Sequence, residues 1–368
     1  MRETALQAAS RDANDSRVNP VSRFAPKPAW LKVRAPGGET YGTLKQTFRE
    51  LDLHTVCEEA RCPNVGECWS EGTATVMLLG DTCTRGCRFC AVTTGDPRGA
   101  VDVREPEHVA RAIAKLGLQY VVLTMVDRDD LLDGGASHVA RTVTRLRELR
   151  PDLLVETLLG DFGGNCDYVD VTVDAAPHVW AHNVEVPRRL QRTVRDVRCG
   201  YDKSLSVLRR AKERSPKILT KSSIMVGIGE TDDEVLETLA DLRAAGVDLV
   251  TLGQYLRPTP KHLAVERFVE PATFERYAEE GTKLGFSYVA SGPLVRSSYK
   301  AAEVFVGATQ VAIVAFDVRA CRYLRAPPSA STRPRNPTKR PTWCSRSAKD
   351  SWSPVSVISS TGVSPRMA

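Results

Sequence analysis

Six of the ten cysteines in this 368-residue chain lie in two triplets within 34 residues. The first triplet has the spacing C-x4-C-x5-C, and its members are Cys57, Cys62 and Cys68. The second has the spacing C-x3-C-x2-C, and its members are Cys83, Cys87 and Cys90. Thiolates are the usual ligands of iron–sulfur clusters, and a cubane of four irons needs four anchors. Each triplet therefore leaves one ligand position to be filled from elsewhere.

The second triplet favours a cluster over a zinc ion. A structural zinc site needs a fourth cysteine or histidine nearby, and residues 91–107 contain neither. A purely structural role for three such closely spaced cysteines is the remaining alternative. In a cluster, three cysteines leave one iron open, and the amine and carboxylate of S-adenosylmethionine suit that open position. We therefore predict a four-iron cluster that binds S-adenosylmethionine at the second triplet.

Composition limits the functional classes. No apolar run of about 18 residues is present, and the first residues lack the apolar stretch of a secretory signal. Residues 318–368 hold ten basic residues and one acidic residue, so residues 1–317 sum to −3 although the whole chain carries +6. The body is therefore not expected to bind nucleic acid. Clustered cysteines then favour metal or redox chemistry in the cytoplasm, with the mitochondrial matrix as the alternative.

Strands and helices alternate along most of the chain. Compact apolar runs predict strands over 73–81, 120–127, 153–162, 179–186, 218–230 (ending in a glycine turn), 248–256 and 286–295. Helical periodicity predicts helices over 43–52, 105–117, 138–150, 204–215, 231–246 and 271–284, with Thr231 as an N-cap and Gly246 as a C-cap. Such strands indicate a parallel sheet covered by helices, as a partial barrel or a doubly wound sheet. In either architecture the active site lies at the carboxyl ends of the strands.

Two motifs resemble the radical S-adenosylmethionine superfamily. They are the second triplet, which begins two residues after a predicted strand, and the strand-turn IMVGIGET at residues 224–231. The resemblance implies an α/β fold, a partial (β/α)6 barrel of the radical S-adenosylmethionine type.

The resemblance extends to one family, lipoyl synthase. The segments CEEARCPNVGECW, GDTCTRGCRFC, VDRDDLLDGGA, AHNVE, GQYLRPT and GPLVRSSYKA match that family in order, over roughly residues 29–303. This implies radical-mediated insertion of two sulfur atoms at C6 and C8 of an octanoyl chain attached to a lysine of a lipoyl carrier domain. It also implies two [4Fe-4S] clusters, one that binds S-adenosylmethionine and an auxiliary one that donates sulfur.

The same resemblance implies a fourth ligand for the first triplet. In the family this ligand is a serine of the RSSY motif, which here occupies residues 296–299, and we predict Ser298, with Ser297 as the alternative. From the residues alone, a capped turn is the simpler interpretation. The predicted organisation is a polar extension (1–29), a segment with the auxiliary triplet (30–72), a barrel ending in RSSY (73–303), and a basic Pro- and Ser-rich tail, disordered or artefactual (304–368).

Polar residues that follow the predicted strands are candidates for binding S-adenosylmethionine. These are Asp127, Arg128, Asn183, Glu185, Glu230 and Arg257, and ordinary solvated loops are the alternative interpretation. Cys166 and Cys199 are predicted to be isolated free thiols.

The implied partners are octanoylated lipoyl carrier domains, namely the acyltransferase subunit of 2-oxoacid dehydrogenases and the glycine-cleavage H protein. An electron donor such as ferredoxin or flavodoxin is also implied. We expect a monomer with no nucleic-acid or membrane partner. Two other functions stay open at this point. One is a radical sulfur-inserting enzyme acting on a free small molecule, and the other is a zinc-stabilised module whose basic tail contacts nucleic acid.

Overall fold

The structure is a computed structural model, and it describes residues 26–32, 42, 45–46, 50, 55–59, 62, 64–70, 73–116, 118–298 and 301. The tail predicted over 304–368 lies outside the described residues, as do the first 25 residues and most of the helix predicted over 43–52.

Seven parallel strands form the main sheet. They are β1 (Thr73–Leu78), β2 (Tyr120–Met125), β3 (Leu154–Leu158), β4 (Val179–Ala181), β5 (Leu219–Val226), β6 (Leu249–Gln254) and β7 (Tyr288–Gly292). Each strand pairs with the next one along the chain, so the order never reverses. A doubly wound sheet requires such a reversal. The observed order is therefore that of a partial barrel, and the predicted six-stranded barrel up to residue 256 is confirmed, with β7 added at its edge.

One helix of nine or more residues lies in each connection between successive strands. The helices are α1 (Glu105–Lys115), α2 (Ala136–Leu149), α3 (Cys166–Asp174), α4 (Tyr201–Arg214), α5 (Asp232–Ala244) and α6 (Pro271–Leu284). The α3 helix is absent from the sequence-based assignment, and the other five are confirmed within three residues at each end. The N-cap prediction at Thr231 is also confirmed, since its side chain accepts from Glu234 N–H in a capping box. At the other end of α5, Ala245 takes the C-cap position and Gly246 follows with φ of 85°. No helix in the described part of the chain is long and apolar enough to cross a membrane.

The strand predicted over 179–186 is too long, because β4 ends at Ala181. Beyond that point the N–H of Val184 donates to the Ser222 hydroxyl instead of a strand carbonyl. Pairing returns only as a single parallel bridge between Glu185 and Ile224. After this break, the side chains of Asn183 and Glu185 face the interior of the barrel.

A buried ion pair lies among the strands. Lys221 Nζ on β5 lies 2.8 Å from Glu156 Oε1 on β3, and both residues are 1% exposed. The hydroxyl of Tyr120 on β2 donates to the other oxygen of Glu156 at 2.7 Å. The three residues therefore satisfy one another inside the sheet.

Candidate active site

A cavity of about 390 Å³ is lined by β1, β5 and β6 and by the segments that follow β4 and β6. Parallel strands direct their carboxyl ends to one edge, and the predicted active-site edge contributes several of these lining segments. The cavity is where the structure collects most of the chemistry-bearing residues predicted above.

All three cysteines of the first triplet line this cavity. Cys57 lies on a short helix (Val56–Glu59) and Cys68 on another (Val65–Ser70). Both thiols are buried, and the sulfur of Cys57 accepts hydrogen bonds from Trp69 and Thr75. Burial, followed by the neighbouring Cys62, raises the pKa of Cys57 to about 11. A cation such as iron is therefore needed to hold this group as a thiolate at neutral pH.

The serines of the RSSY motif line the same cavity. Ser297 and Ser298 face it together with the first triplet, although they lie more than 200 residues away in sequence. Asn64 Nδ2, between two cysteines of the triplet, donates to the carbonyl of Leu294 at 2.6 Å and ties the two segments together. Burial raises the pKa of Cys62, while the backbone N–H of Asn64 and the nearby Arg296 guanidinium act against this rise. The structure thus brings the predicted fourth ligand to the wall that carries the triplet.

The second triplet lies on a loop whose last residues line the same cavity. Cys83 ends a two-residue strand (Thr82–Cys83), and Cys90 N–H donates to the Cys87 carbonyl at 3.1 Å. Cys90 and its neighbour Phe89 line the cavity, whereas Cys83 and Cys87 are not among its lining residues. Backbone N–H groups approach two of the sulfurs, since Arg85 N lies 3.4 Å from Cys83 Sγ and Asp196 N lies 3.4 Å from Cys87 Sγ. Such donors are typical of cysteines that carry negative charge.

Cys199 is not isolated, contrary to the sequence-based prediction. It is a free thiol, but it hydrogen-bonds with Cys87, and Arg85 Nη1 lies 3.5 Å from its sulfur. The hydrogen bond with Cys87, then the charge of Arg195, lowers the pKa of Cys199 to about 7 against the opposing effect of burial. Spacing could not reveal this contact, because the two cysteines are far apart in sequence. Cys166, by contrast, is exposed on α3, as expected for a free thiol.

A single metal ion and a four-iron cluster require different spacings between their ligands. Zinc–sulfur bonds of about 2.3 Å place the thiolates of a tetrahedral site about 3.8 Å apart. Within the described residues no group of three His, Cys, Asp or Glu side chains is placed to hold one ion. A cubane presents each cysteine with its own iron, so its ligands stand farther apart around a volume. Three cysteines and two serines around one cavity fit that requirement.

Three of the predicted cofactor-binding residues also line the cavity: Asn183, Glu185 and Arg257. Glu185 has φ of 68°, a rare value for a residue with a side chain, and its carboxylate accepts from the Asn183 side chain. Burial raises the pKa of Glu185. Arg257 donates to the carbonyls of His262 and Pro260, and His262 Nε2 contacts the Cys90 carbonyl at 2.9 Å. Arg257 therefore also shapes the loop that supports the second triplet.

The other three candidates lie elsewhere. Asp127 and Arg128 line a separate cavity of about 170 Å³. Burial raises the pKa of Asp127 to about 6, while Arg85, with Nη1 3.5 Å from its carboxylate, acts to lower it. Arg128 is buried and bonded to Asp130 and to two backbone carbonyls. Glu230 accepts the N–H groups of Gly227 and Ile228. The structure thus uses Arg128 and Glu230 to shape loops, and direct cofactor contact by these three residues stays a prediction.

The fold and the two cysteine triplets are matched by known families. The family model of the radical S-adenosylmethionine superfamily matches residues 77–242, which run from the end of β1 through most of α5 and include the second triplet. The chain is thus a radical S-adenosylmethionine enzyme. A model described as the N-terminal domain of lipoyl synthase matches residues 4–62.

Curated relatives identify the family within this superfamily. Lipoyl synthase of Sorangium cellulosum is 73% identical over 300 residues, covering 78% of this chain and 81% of the relative. Lipoyl synthase of Thermus thermophilus is 57% identical over 305 residues, covering 83% and 94%. The chain therefore belongs to the lipoyl synthase family. Likeness to solved structures is distant, with methylornithine synthase at 14% identity and a TM-score of 0.44, over 68% of this chain and 74% of that one.

Family membership confirms the function expected from the motifs. The enzyme inserts sulfur at C6 and C8 of an octanoyl chain carried by a lipoyl carrier domain, and it uses S-adenosylmethionine and [4Fe-4S] clusters. The free small-molecule substrate and the zinc-stabilised binding module are thereby set aside.

Proposed function

We propose that the two triplets divide the work of this reaction. Cys83, Cys87 and Cys90 hold the cluster that binds S-adenosylmethionine, and Cys57, Cys62 and Cys68 with Ser298 hold the auxiliary cluster. When bound, these groups supply radical chemistry and sulfur that no side chain can provide. The observation that carries the proposal is the single cavity faced by the first triplet, both serines and Cys90.

The lining of the cavity also suits the substrate. Apolar side chains occupy much of it, including Val56, Phe89, Ile224, Met225, Leu256 and Val295. Binding sites for apolar ligands are mostly apolar with a few fixed polar groups. An octanoyl chain on an extended lysine arm can therefore enter this space, while the carrier domain stays outside.

Ser298 is assigned as a weak and replaceable anchor. A serine oxygen is an unusual iron ligand beside three thiolates. Arg296 donates to the Gln254 carbonyl and Asn64 donates to the Leu294 carbonyl, so both bonds hold the segment that precedes Ser298. Loss of this one ligand would leave the surrounding wall intact, as suits a cluster that gives up sulfur.

The experiment compares Ser298→Ala with the matched control Ser297→Ala in the full-length enzyme. With both clusters loaded, about eight irons per chain are expected. We expect Ser298→Ala to lose lipoyl formation on an octanoylated carrier domain but to keep releasing 5′-deoxyadenosine, and Ser297→Ala to keep both. Loss confined to Ser297→Ala would transfer the assignment to that residue. Full lipoyl formation in both variants would refute a serine ligand.

The partners and the compartment complete the proposal. We assign as carriers the acyltransferase subunit of 2-oxoacid dehydrogenases and the glycine-cleavage H protein, and as electron donor a ferredoxin or flavodoxin. We also propose a monomer in the cytoplasm, with the mitochondrial matrix as the alternative. All eight cysteines in the described part of the chain are free, which supports a reducing compartment. Lipoylation assays with each carrier and donor, light scattering and cell fractionation test these assignments.

A further inference from the structure

The turn Asp196–Cys199 packs against the loop that carries the second triplet. The turn closes by a hydrogen bond from Cys199 N to the Asp196 carbonyl at 2.9 Å. Arg198 Nη2 donates to the carbonyl of Thr84 at 2.5 Å. These bonds attach the turn to the stretch between the first two cysteines of the triplet.

Asp196 contacts the middle of that loop through both its backbone and its side chain. Its backbone N–H lies 3.4 Å from Cys87 Sγ, and its carboxylate accepts from Gly86 N–H at 2.8 Å. The same residue therefore orients the backbone just before Cys87 and places a donor on the sulfur of Cys87. Both contacts are made by a residue that lies outside the cysteine loop.

Cys199 lies beside the same sulfur. In the iron-free protein Cys87 is the donor in this contact, whereas an iron-bound Cys87 has lost its proton, so the Cys199 thiol then becomes the donor. The Cys199 thiol is in hydrogen-bonding contact with that of Cys87, and Arg85 Nη1 approaches it at 3.5 Å. The guanidinium is itself fixed, because it is 4% exposed and bonds to Asp129 and Asp161 at 2.8 Å. The contacts with Cys87 and with Arg85 therefore fix the position of the Cys199 sulfur.

Hydrogen bonds to the sulfurs of an iron–sulfur cluster set its reduction potential. A reduced cluster carries more negative charge on its sulfurs, so donors stabilise the reduced state more than the oxidised state. We propose that the Asp196–Cys199 turn positions Cys87 and raises the reduction potential of the cluster at the second triplet, with Cys199 as the decisive donor. The inference rests on the proposed assignment of that cluster to Cys83, Cys87 and Cys90.

The test measures the potential of this cluster by itself. In the full-length chain, Cys57, Cys62 and Cys68 are replaced by Ala so that only the second triplet can hold iron. Cys199→Ala, Cys199→Ser and the control Cys166→Ala are then made in this background. Reductive titration followed by electron paramagnetic resonance gives the midpoint potential, and iron analysis gives the loading.

We expect a more negative midpoint potential for Cys199→Ala, an intermediate value for Cys199→Ser, which keeps a donor, and no change for Cys166→Ala. Equal potentials in the parent protein and Cys199→Ala, at equal iron content, would overturn the inference. Loss of iron from Cys199→Ala but not from Cys199→Ser supports it, since a donor then suffices to hold Cys87. Loss of iron from both, with native circular dichroism, would overturn it in favour of Cys199 as an iron ligand.

Iron content separates this inference from the assignment on which it rests. About four irons per chain in the triple-Ala background confirm a cluster at the second triplet, whatever the potentials show. Absence of iron in that background would refute the cluster assignment itself.

Discussion

The buried imidazole of His182 should make the stability of the iron-free protein depend on pH. Its Nδ1 donates to the Leu159 carbonyl at 2.8 Å, and its Nε2 accepts from the Ser204 hydroxyl at 2.9 Å. Ser204 in turn accepts from Arg195 at 2.8 Å. This order of donors requires a neutral imidazole, and we assign the tautomer from the network. Burial, then the charge of Arg195, lowers the pKa of His182 to about 4.

The sign and size of the effect follow from this shift. The same histidine in the unfolded chain titrates near 6.5, so unfolding takes up a proton below that pH. Stability from this residue is therefore complete above pH 6.5 and is lost as the pH falls towards 4. A shift of about 2.5 units corresponds to at most ~3.4 kcal/mol, of which ~2 kcal/mol is lost between pH 7.5 and pH 5.

Urea unfolding of the full-length, iron-free protein at several values from pH 7.5 to pH 5 measures this. The free energy of unfolding of the natural protein minus that of His182→Gln should fall by ~2 kcal/mol over this range. His108→Gln, at an exposed position on α1, is the matched control and should follow the natural protein. A difference between the natural protein and His182→Gln that does not change with pH would refute the reasoning.

Two further predictions concern the scaffold of the site, and both are checked by urea unfolding at pH 7.5. Lys221→Met should cost about 3–5 kcal/mol, because it leaves the Glu156 carboxylate buried without its cation, and adding Glu156→Gln should recover a large part. No recovery in the double variant would contradict a charge effect. Gly227→Ala should cost more than Gly163→Ala, although both glycines have positive φ. A Cβ at Gly227 would lie 2.5 Å from a backbone carbonyl, whereas at Gly163 it meets open space, so equal costs would show that this contact is unimportant.

The sequence predicts the barrel well because its strands are short apolar runs bounded by turns. It misses α3, because its sequence CDYVDVTVD is rich in valine and aspartate, which have low helix propensity. Its cap was readable, since the Asn165 side chain accepts from Asp167 N–H at the start of the helix. The end of β4 at Ala181 could not be predicted from the sequence, because it depends on the Ser222 hydroxyl of the neighbouring strand.

The sequence likewise predicts some residues of the candidate site and misses others. Close spacing is enough to predict two groups of three sulfur ligands, since local sequence keeps them together. Ser298 follows only from family resemblance, because nothing near it in sequence indicates iron. The contact of Cys199 with Cys87 depends on how the turn before α4 folds back on the cysteine loop. No sequence periodicity or motif predicts that this turn contacts the cysteine loop.

The hydrogen bond between Asn64 and Leu294 joins segments 230 residues apart, one before the first strand and one after the last. The wall around the first triplet is thus built from residues that the ribosome makes near opposite ends of the barrel. During synthesis, Cys57, Cys62 and Cys68 emerge early and wait as bare thiols until residues 294–298 arrive. On the proposed assignment of Ser298, the complete ligand set of the first triplet therefore exists only after residues 294–298 have been synthesised.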